Sequence, residues 1–188
     1  LLTDADCIPA SEHWIKNMQA AFHSGIEIVL GYGAYKKEKG ILNRIIRFDT
    51  FHTALQYLSF AIGGMPYMGV GRNLAYKKEL FFKQKGFAAH HHLPGGDDDL
   101  FINGCANKQN TTVVLDQDAF TYSTPSRKWS EWLSQKERHN ATGKYYKSVH
   151  KWVLGLYMGS QFLFYPLMVV ALFTFDWKWV LGLLILKL

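Results

Sequence analysis

The sequence predicts an α/β domain followed by transmembrane helices, and three observations predict it. From Trp152 to Phe175 the chain runs for 24 residues without a formal charge, and about 20 apolar residues suffice to span a bilayer. A second apolar run begins at Trp177, after Asp176, so residues 150–188 are expected to form membrane helices over 152–175 and from 177 onward, the latter incomplete. Upstream, residues 1–148 alternate short apolar segments bounded by glycine with segments of helical period, the mark of strands and helices packed together. Charge supplies the third observation. The net charge is +6, and Arg127, Lys128, Lys136, Arg138, Lys144, Lys147 and Lys151 stand against only Glu131 and Glu137 just before the apolar run. Basic residues at that position mark the cytoplasmic end of a spanning helix, which places the protein in an inner or plasma membrane, multi-pass, with its soluble domain in the cytosol. A basic run also suits a solvated face or a nucleic-acid patch, but its position against the span favours the membrane surface over nucleic acid.

The elements follow in order. Leu1 to Thr3 reads as the end of a buried strand entering an acidic turn. Ser11 can cap a helix carrying Trp14, Ile15, Met18 and Phe22 at helical spacing, stopped by Gly25. Ile26 to Gly33 is a short apolar strand. A longer helix runs from Ile41 to Ile62, with Ile41, Ile45, Phe48, Phe51, Leu55, Leu58 and Ile62 on one stripe and Gly63-Gly64 at its end. Such a stripe suits a core helix; it equally suits a helix lying along a bilayer, with Arg44 and Arg47 towards headgroups. Gly69 to Tyr76 is extended, Lys78 to Lys83 a short helix, and a further helix starts near Asp97-Asp98-Asp99 and runs towards Asn107. Thr111–Leu115 and Ala119–Tyr122 are strands, Asp116-Gln117-Asp118 between them is a solvated turn, and Ser130 to Tyr146 is a basic helix leading to the membrane.

Three segments can carry chemistry. In Asp4-Ala5-Asp6, residues i and i+2 of an extended chain project to one side, so two carboxylates at a strand's end can share Mg²⁺ or Mn²⁺. Three adjacent acids at Asp97 to Asp99 repel one another, which raises at least one pKa and suits a general base; an acidic helix start explains the same residues structurally. Gln135, Arg138 and His139 offer an amide, a planar guanidinium and an imidazole that suit a diphosphate or an acceptor hydroxyl, or simply a polar helix face. His90-His91-His92 has no partnering ligand at metal-site spacing and reads as solvated loop. Cys7 and Cys105 are isolated, which suits a reducing compartment.

Taken together, Leu2-Thr3-Asp4-Ala5-Asp6-Cys7-Ile8-Pro9, Gly69 to Tyr76 with Phe81 and Gly86-Phe87, Gly96-Asp97-Asp98-Asp99-Leu100, the Gln135 to His139 segment and the apolar runs resemble, in order, the membrane-bound family 2 glycosyltransferases, inverting enzymes of GT-A fold. The resemblance covers nearly the whole chain. It implies that residues 1–148 are the acceptor-side, C-terminal part of a Rossmann-like GT-A domain, with the nucleotide-gripping strands upstream; the opening on Leu-Leu-Thr-Asp and the end inside an apolar run are what a fragment would give. It further implies that Asp4 and Asp6 hold a metal on the donor's diphosphate, that Asp97 is the catalytic base with Asp98 second, and that Gln135, Arg138 and His139 bind substrate. Partners would be a nucleotide-diphospho-sugar donor, a lipid or glycan acceptor and the membrane. Two departures stand out: Gly96 occupies the place of the family's usual Glu, and His139 that of the tryptophan of processive members. A metal-dependent membrane phosphotransferase or hydrolase, and a non-catalytic envelope-assembly subunit, are the competing functions.

Overall fold

A computed structural model describes residues 1–88, 93 and 95–187; the histidine run at 90–92 lies outside the described residues. The chain is mixed α/β and divides into two units, Leu1–Lys147 and Ser148–Leu188.

The first unit holds two three-stranded sheets. In one, β2 (Ile28–Leu30) lies between β4 (Leu74–Tyr76), antiparallel to it, and β5 (Thr111–Val113), parallel to it. In the other, β6 (Thr121–Ser123) lies between β1 (Ile8–Pro9), antiparallel, and β3 (Gly33–Tyr35), parallel. The apolar run expected as one strand over 26–33 is therefore shared between two sheets. The same two stretches of chain pair in parallel twice, with Leu30 opposite Val113 and then Gly33 opposite Thr121. Between those registers one stretch advances by Gly31-Tyr32 alone, while its partner loops out over residues 114–120 and carries a 3₁₀ turn at Gln117–Ala119. Gly31 is required at the break, because a Cβ there would sit 2.5 Å from the Asn73 side chain.

Packing follows from the strands. Ile28, Val29 and Leu30 are all fully buried, as expected of a central strand covered on both faces. Trp14 and Met18 of α1 (Trp14–Ala20) pack with Ile26, Val29, Ala75 and Ala119. α2 (Ile41–Ile62) presents Ile46, Ala54, Tyr57, Leu58 and Ala61 to the interior, and the buried Tyr57 hydroxyl donates to the Gly31 carbonyl at 2.7 Å. α3 (Lys78–Lys83) and α4 (Asp99–Cys105) meet through Tyr76, Phe81, Phe87 and Phe101, whose rings stack or tilt against one another. α5 (Trp129–Ala141) buries no residue.

Several expectations are corrected in detail. Leu1 and Leu2 are exposed, and Leu2 makes only an isolated antiparallel bridge to Leu74. Ser11 does not cap α1: its Oγ accepts the His13 N–H in a turn before the helix and donates to the Asp118 carbonyl. Ile15 of α1 faces solvent. The stripe on α2 is not the core face: Ile41, Phe48, Phe51, Leu55 and Ile62 are exposed, and of the residues grouped with them only Leu58 is buried.

In the second unit, α6 (Ser148–Thr174) is 27 residues long, and its most apolar stretch is not buried at all. At 1.5 Å per residue it measures about 40 Å, longer than the roughly 30 Å hydrocarbon layer. It is the one helix among the described residues long and apolar enough to cross a membrane. α7 (Trp177–Lys187) follows a turn in which the Asp176 carboxylate accepts the Lys178 N–H at 2.9 Å.

The side chain that fixes this arrangement is Asn73, wholly buried. Its Oδ1 accepts the Trp14 indole N–H at 3.0 Å, and its Nδ2 donates to the carbonyls of Tyr32 and Ala119 at 3.0 and 2.7 Å. Replacing Asn73 with Ala removes the partner of the Trp14 indole N–H and of the Ala119 carbonyl, while the Tyr32 carbonyl keeps the Thr121 N–H; we expect a loss of about 2–4 kcal/mol, read as a lowered thermal midpoint in detergent, and an unchanged midpoint would show that Asn73 is not the tie.

Candidate active site

The acidic loop forms first. The Cys7 N–H donates to the Asp4 carbonyl at 3.0 Å, closing a turn over residues 4–7. Oxygens of Asp4 and Asp6 and the Cys7 sulfur all lie within 4.8 Å of one another. Cys7, which its sequence spacing leaves isolated, thus joins the carboxylates in space, while its Sγ stands 3.0 Å from the Ser123 hydroxyl. Two carboxylate oxygens fit a hard divalent ion such as Mg²⁺ or Mn²⁺, and a thiol tolerates Mn²⁺ better than Mg²⁺. The Asp4 pKa lies above its ordinary value: burial is the chief cause, Arg72 opposes it, and the charges of Asp6 and Asp97 add to it. Crowded, partly desolvated carboxylates of this kind gain most from a cation.

The segment Val70–Leu74 joins this loop to the second acidic group. The Arg72 carbonyl accepts from Thr3 Oγ1 at 3.0 Å and from Thr121 Oγ1 at 2.9 Å. One residue earlier, the Gly71 N–H donates to Asp98 Oδ2 at 2.6 Å. A Cβ at Gly71 would lie 3.4 Å from Asp98 Oδ2 and 3.5 Å from Asp4 Oδ1. Asp4 and Asp98, distant in sequence, therefore meet across one glycine.

The three adjacent acids have separate surroundings. Asp99 is buried; its Oδ2 accepts from Thr142 Oγ1 at 2.5 Å and Tyr146 OH at 2.7 Å, and its Oδ1 from the Leu100 N–H. It ties α4 to the chain after α5. Asp98 starts α4, with Oδ1 accepting the Asp99 N–H at 2.7 Å while Oδ2 accepts that of Gly71. Burial pushes its carboxyl up to about 6, and the neighbouring Asp99 and Asp97 charges add to the rise, against the two backbone N–H groups that lower it. Asp97 is exposed. Gly96 has φ +92°, and a Cβ there would fall 2.5 Å from Leu100 Cδ1, so this backbone cannot carry a Glu at that place.

A cleft of about 300 Å³ is lined by Asp4, Asp6, Tyr35, Arg72, Glu131, Gln135 and Arg138, with Ser123, Thr124 and Ser126 along one side. Four of the seven residues singled out from sequence line it: Asp4, Asp6, Gln135 and Arg138. Outside the lining, Asp98 is joined to it through Gly71, the residue before Arg72, Asp97 is near enough for its charge to act on Asp4, and His139 also stands outside. The His139 imidazole titrates below its usual value, through desolvation first and then repulsion by Lys136, Arg72 and Arg138. Gln135 Nε2 reaches the Tyr35 hydroxyl at 3.4 Å, and Lys136 pairs with Asp49 at 2.8 Å, which together set α5 against the cleft.

Arg72 was not singled out as a site residue. Its guanidinium carbon sits 4.6 Å from the centre of the Tyr35 ring, a cation–π contact. Its Nη1 is buried and, among the described residues, has no hydrogen-bond partner. A buried donor without a partner is costly, which marks this guanidinium out from the other cations of the unit. The available signal was a lone cation set between Gly71 and Asn73 in an otherwise apolar, glycine-punctuated stretch.

No protein-family model matches this chain, and no curated protein matches it.

The raised Asp98 pKa has a consequence for stability. The folded state holds this proton up to about pH 6, whereas an ordinary Asp releases it near 3.8. The contribution is full below pH ~4 and is lost as pH rises through about 6, roughly 3 kcal/mol in all. In metal-free buffer the melting temperature should fall across that window, and Asp98→Asn should flatten the fall; an Asp98→Asn profile as steep as wild type would assign the effect elsewhere.

Proposed function

We propose that this chain is the acceptor-side part of a membrane-anchored inverting glycosyltransferase of the family 2 type. It would move a sugar from a nucleotide-diphospho-sugar to a lipid or glycan acceptor in cell-envelope synthesis. The observation that carries the reading is the cleft that gathers Asp4, Asp6, Arg72, Gln135 and Arg138 with Asp97 and Asp98 at its margin. Carboxylates for a cation, two guanidinium groups for a diphosphate, and an exposed acid alongside are the functional groups that such a transfer requires.

Asp4 and Asp6 would hold Mg²⁺ or Mn²⁺, which when bound neutralises charge on the departing diphosphate. Arg138 and Arg72 bind diphosphate oxygens, with Arg72 held in place by Tyr35 and by its pinned backbone, and Gln135 donates from the same wall. Asp97 takes the proton from the acceptor hydroxyl as that oxygen attacks the anomeric carbon and the carbon–diphosphate bond breaks. Asp98 is the second candidate base: burial raises its proton affinity, but both its oxygens already accept backbone N–H groups. Its place is better suited to fixing the Asp97 loop against Gly71. The membrane setting, multi-pass with the domain in the cytosol of an inner or plasma membrane, rests on α6 and on the basic residues before it.

Release of nucleoside diphosphate from a panel of nucleotide sugars by the full-length protein tests this reading. Activity with Mn²⁺ should vanish with chelator and in Asp4→Asn or Asp6→Asn. Asp97→Asn should lower turnover by about 10²–10⁴-fold with donor binding retained. Release of inorganic phosphate or a lipid phosphate instead would favour a phosphotransferase or hydrolase, and full function in all three variants would favour a non-catalytic subunit. Arg72→Met should cost roughly ten- to a hundredfold in kcat/KM, the worth of one charge-assisted hydrogen bond; wild-type kinetics would remove Arg72 from the diphosphate site.

A further inference from the structure

α2 is apolar on two faces. Its inner face supplies Ile46, Ala54, Tyr57, Leu58 and Ala61 to the core. Its outer face carries Ile41, Phe48, Phe51, Leu55 and Ile62, with exposures of 71, 70, 54, 55 and 63%. Their spacings of seven, three, four and seven residues keep all five in one row along the helix. At 22 residues the helix is about 33 Å long, so the row runs nearly its whole length. An ordinary surface helix hides one apolar stripe and shows water a polar one, whereas a helix apolar all round is covered all round.

The charge around the helix indicates what covers it. Lys36, Lys37 and Lys39 precede the helix, and Arg44 and Arg47 lie in its first two turns; Arg44 is exposed within the apolar row. Against these five cations stand Glu38 and Asp49, and Asp49 is already paired with Lys136. A row of large apolar side chains with cations at one end is complementary to a bilayer surface containing anionic headgroups. The same chain continues from Lys147 directly into α6, the helix of spanning length, so the unit that bears α2 is tethered to any bilayer that α6 crosses.

We propose that α2 lies in the membrane interface, with Ile41, Phe48, Phe51, Leu55 and Ile62 in the acyl boundary and Arg44 and the preceding lysines among anionic headgroups. The inference rests on α6 crossing a bilayer and is independent of sugar transfer. Nitroxide labels test it on full-length protein carrying Cys7→Ser and Cys105→Ala, reconstituted in vesicles of phosphatidylcholine and phosphatidylglycerol. Labels go at Phe51→Cys and Leu55→Cys on the row, Gln19→Cys on the exposed face of α1, and Phe162→Cys in α6; all four positions are exposed, so the fold tolerates them. Accessibility to oxygen and to an aqueous nickel chelate is then compared. Labels at 51 and 55 should favour oxygen, as at 162, with the ratio inverted at 19. Chelate access at 51 and 55 with lipid access at 162 would overturn the proposal and leave the span intact. Water at 162 as well would remove the membrane reading and the proposal together. Closure of 51 and 55 to both reagents, with spin–spin broadening between labels, would assign the row to a second copy of the chain and overturn it too.

Discussion

The fold depends on one buried amide. Asn73 has no exposed surface, and its side chain reaches α1 through Trp14, the crossing between the sheets through Tyr32, and the far strand segment through Ala119. The strands themselves are three residues or fewer, too short to specify one arrangement by ladder hydrogen bonds alone. A side chain that satisfies three partners at once, in a dry setting, supplies that specificity, because any shift of one segment leaves several polar groups unpaired. The candidate site inherits this precision. Arg72 and Gly71 immediately precede Asn73, so the guanidinium that lines the cleft and the N–H that holds Asp98 are placed by the same anchor.

The electrostatics of the cleft follow from that geometry. Bringing Asp4, Asp6, Asp97 and Asp98 together around Gly71 concentrates negative charge, and the protein answers with Arg72 and Arg138. Asp4 and Asp98 both hold their protons more tightly than ordinary carboxyls, through burial first and the neighbouring acids after it. Such sites are where perturbed titration and function coincide. Asp99, by contrast, belongs to the architecture: its oxygens are taken up by Thr142, Tyr146 and the backbone.

Much of this was legible in the sequence, and the rest was hidden for physical reasons. The extent of α2 follows from its helical-period run ended by Gly63-Gly64, and α3 and α6 from composition. Asp4, Asp6, Gln135 and Arg138 could be picked out through the family resemblance; spacing alone does not suffice, because Asp116 and Asp118 repeat the i, i+2 pattern in a turn and Gln135 and Arg138 also suit a polar helix face. The division of 26–33 between two sheets was not legible, because it depends on a loop ninety residues downstream and on an Asn73 side chain filling the space beside Gly31. Nor was the outward turn of the α2 stripe: periodicity reports that residues share a face, not which way that face points. Arg72 escaped notice because its importance is a matter of one unpaired nitrogen, a property of packing alone.

α5 has a character that the rest of the first unit lacks. It contributes Glu131, Gln135 and Arg138 to the cleft, yet it buries no residue, and the contacts that bring it to the cleft are Lys136 with Asp49 and the long Gln135–Tyr35 hydrogen bond. The chain just beyond it is anchored firmly, at Thr142 and Tyr146 on Asp99. One side of the cleft is thus carried by the strands and the Asn73 anchor, and the other is a helix held firmly only at its C-terminal end. Half-exposed polar contacts of this kind contribute about 1 kcal/mol or less each, so swinging that helix aside costs far less than global unfolding. Local opening would therefore widen the cleft, while Arg72 stays where the backbone beside Asn73 holds it.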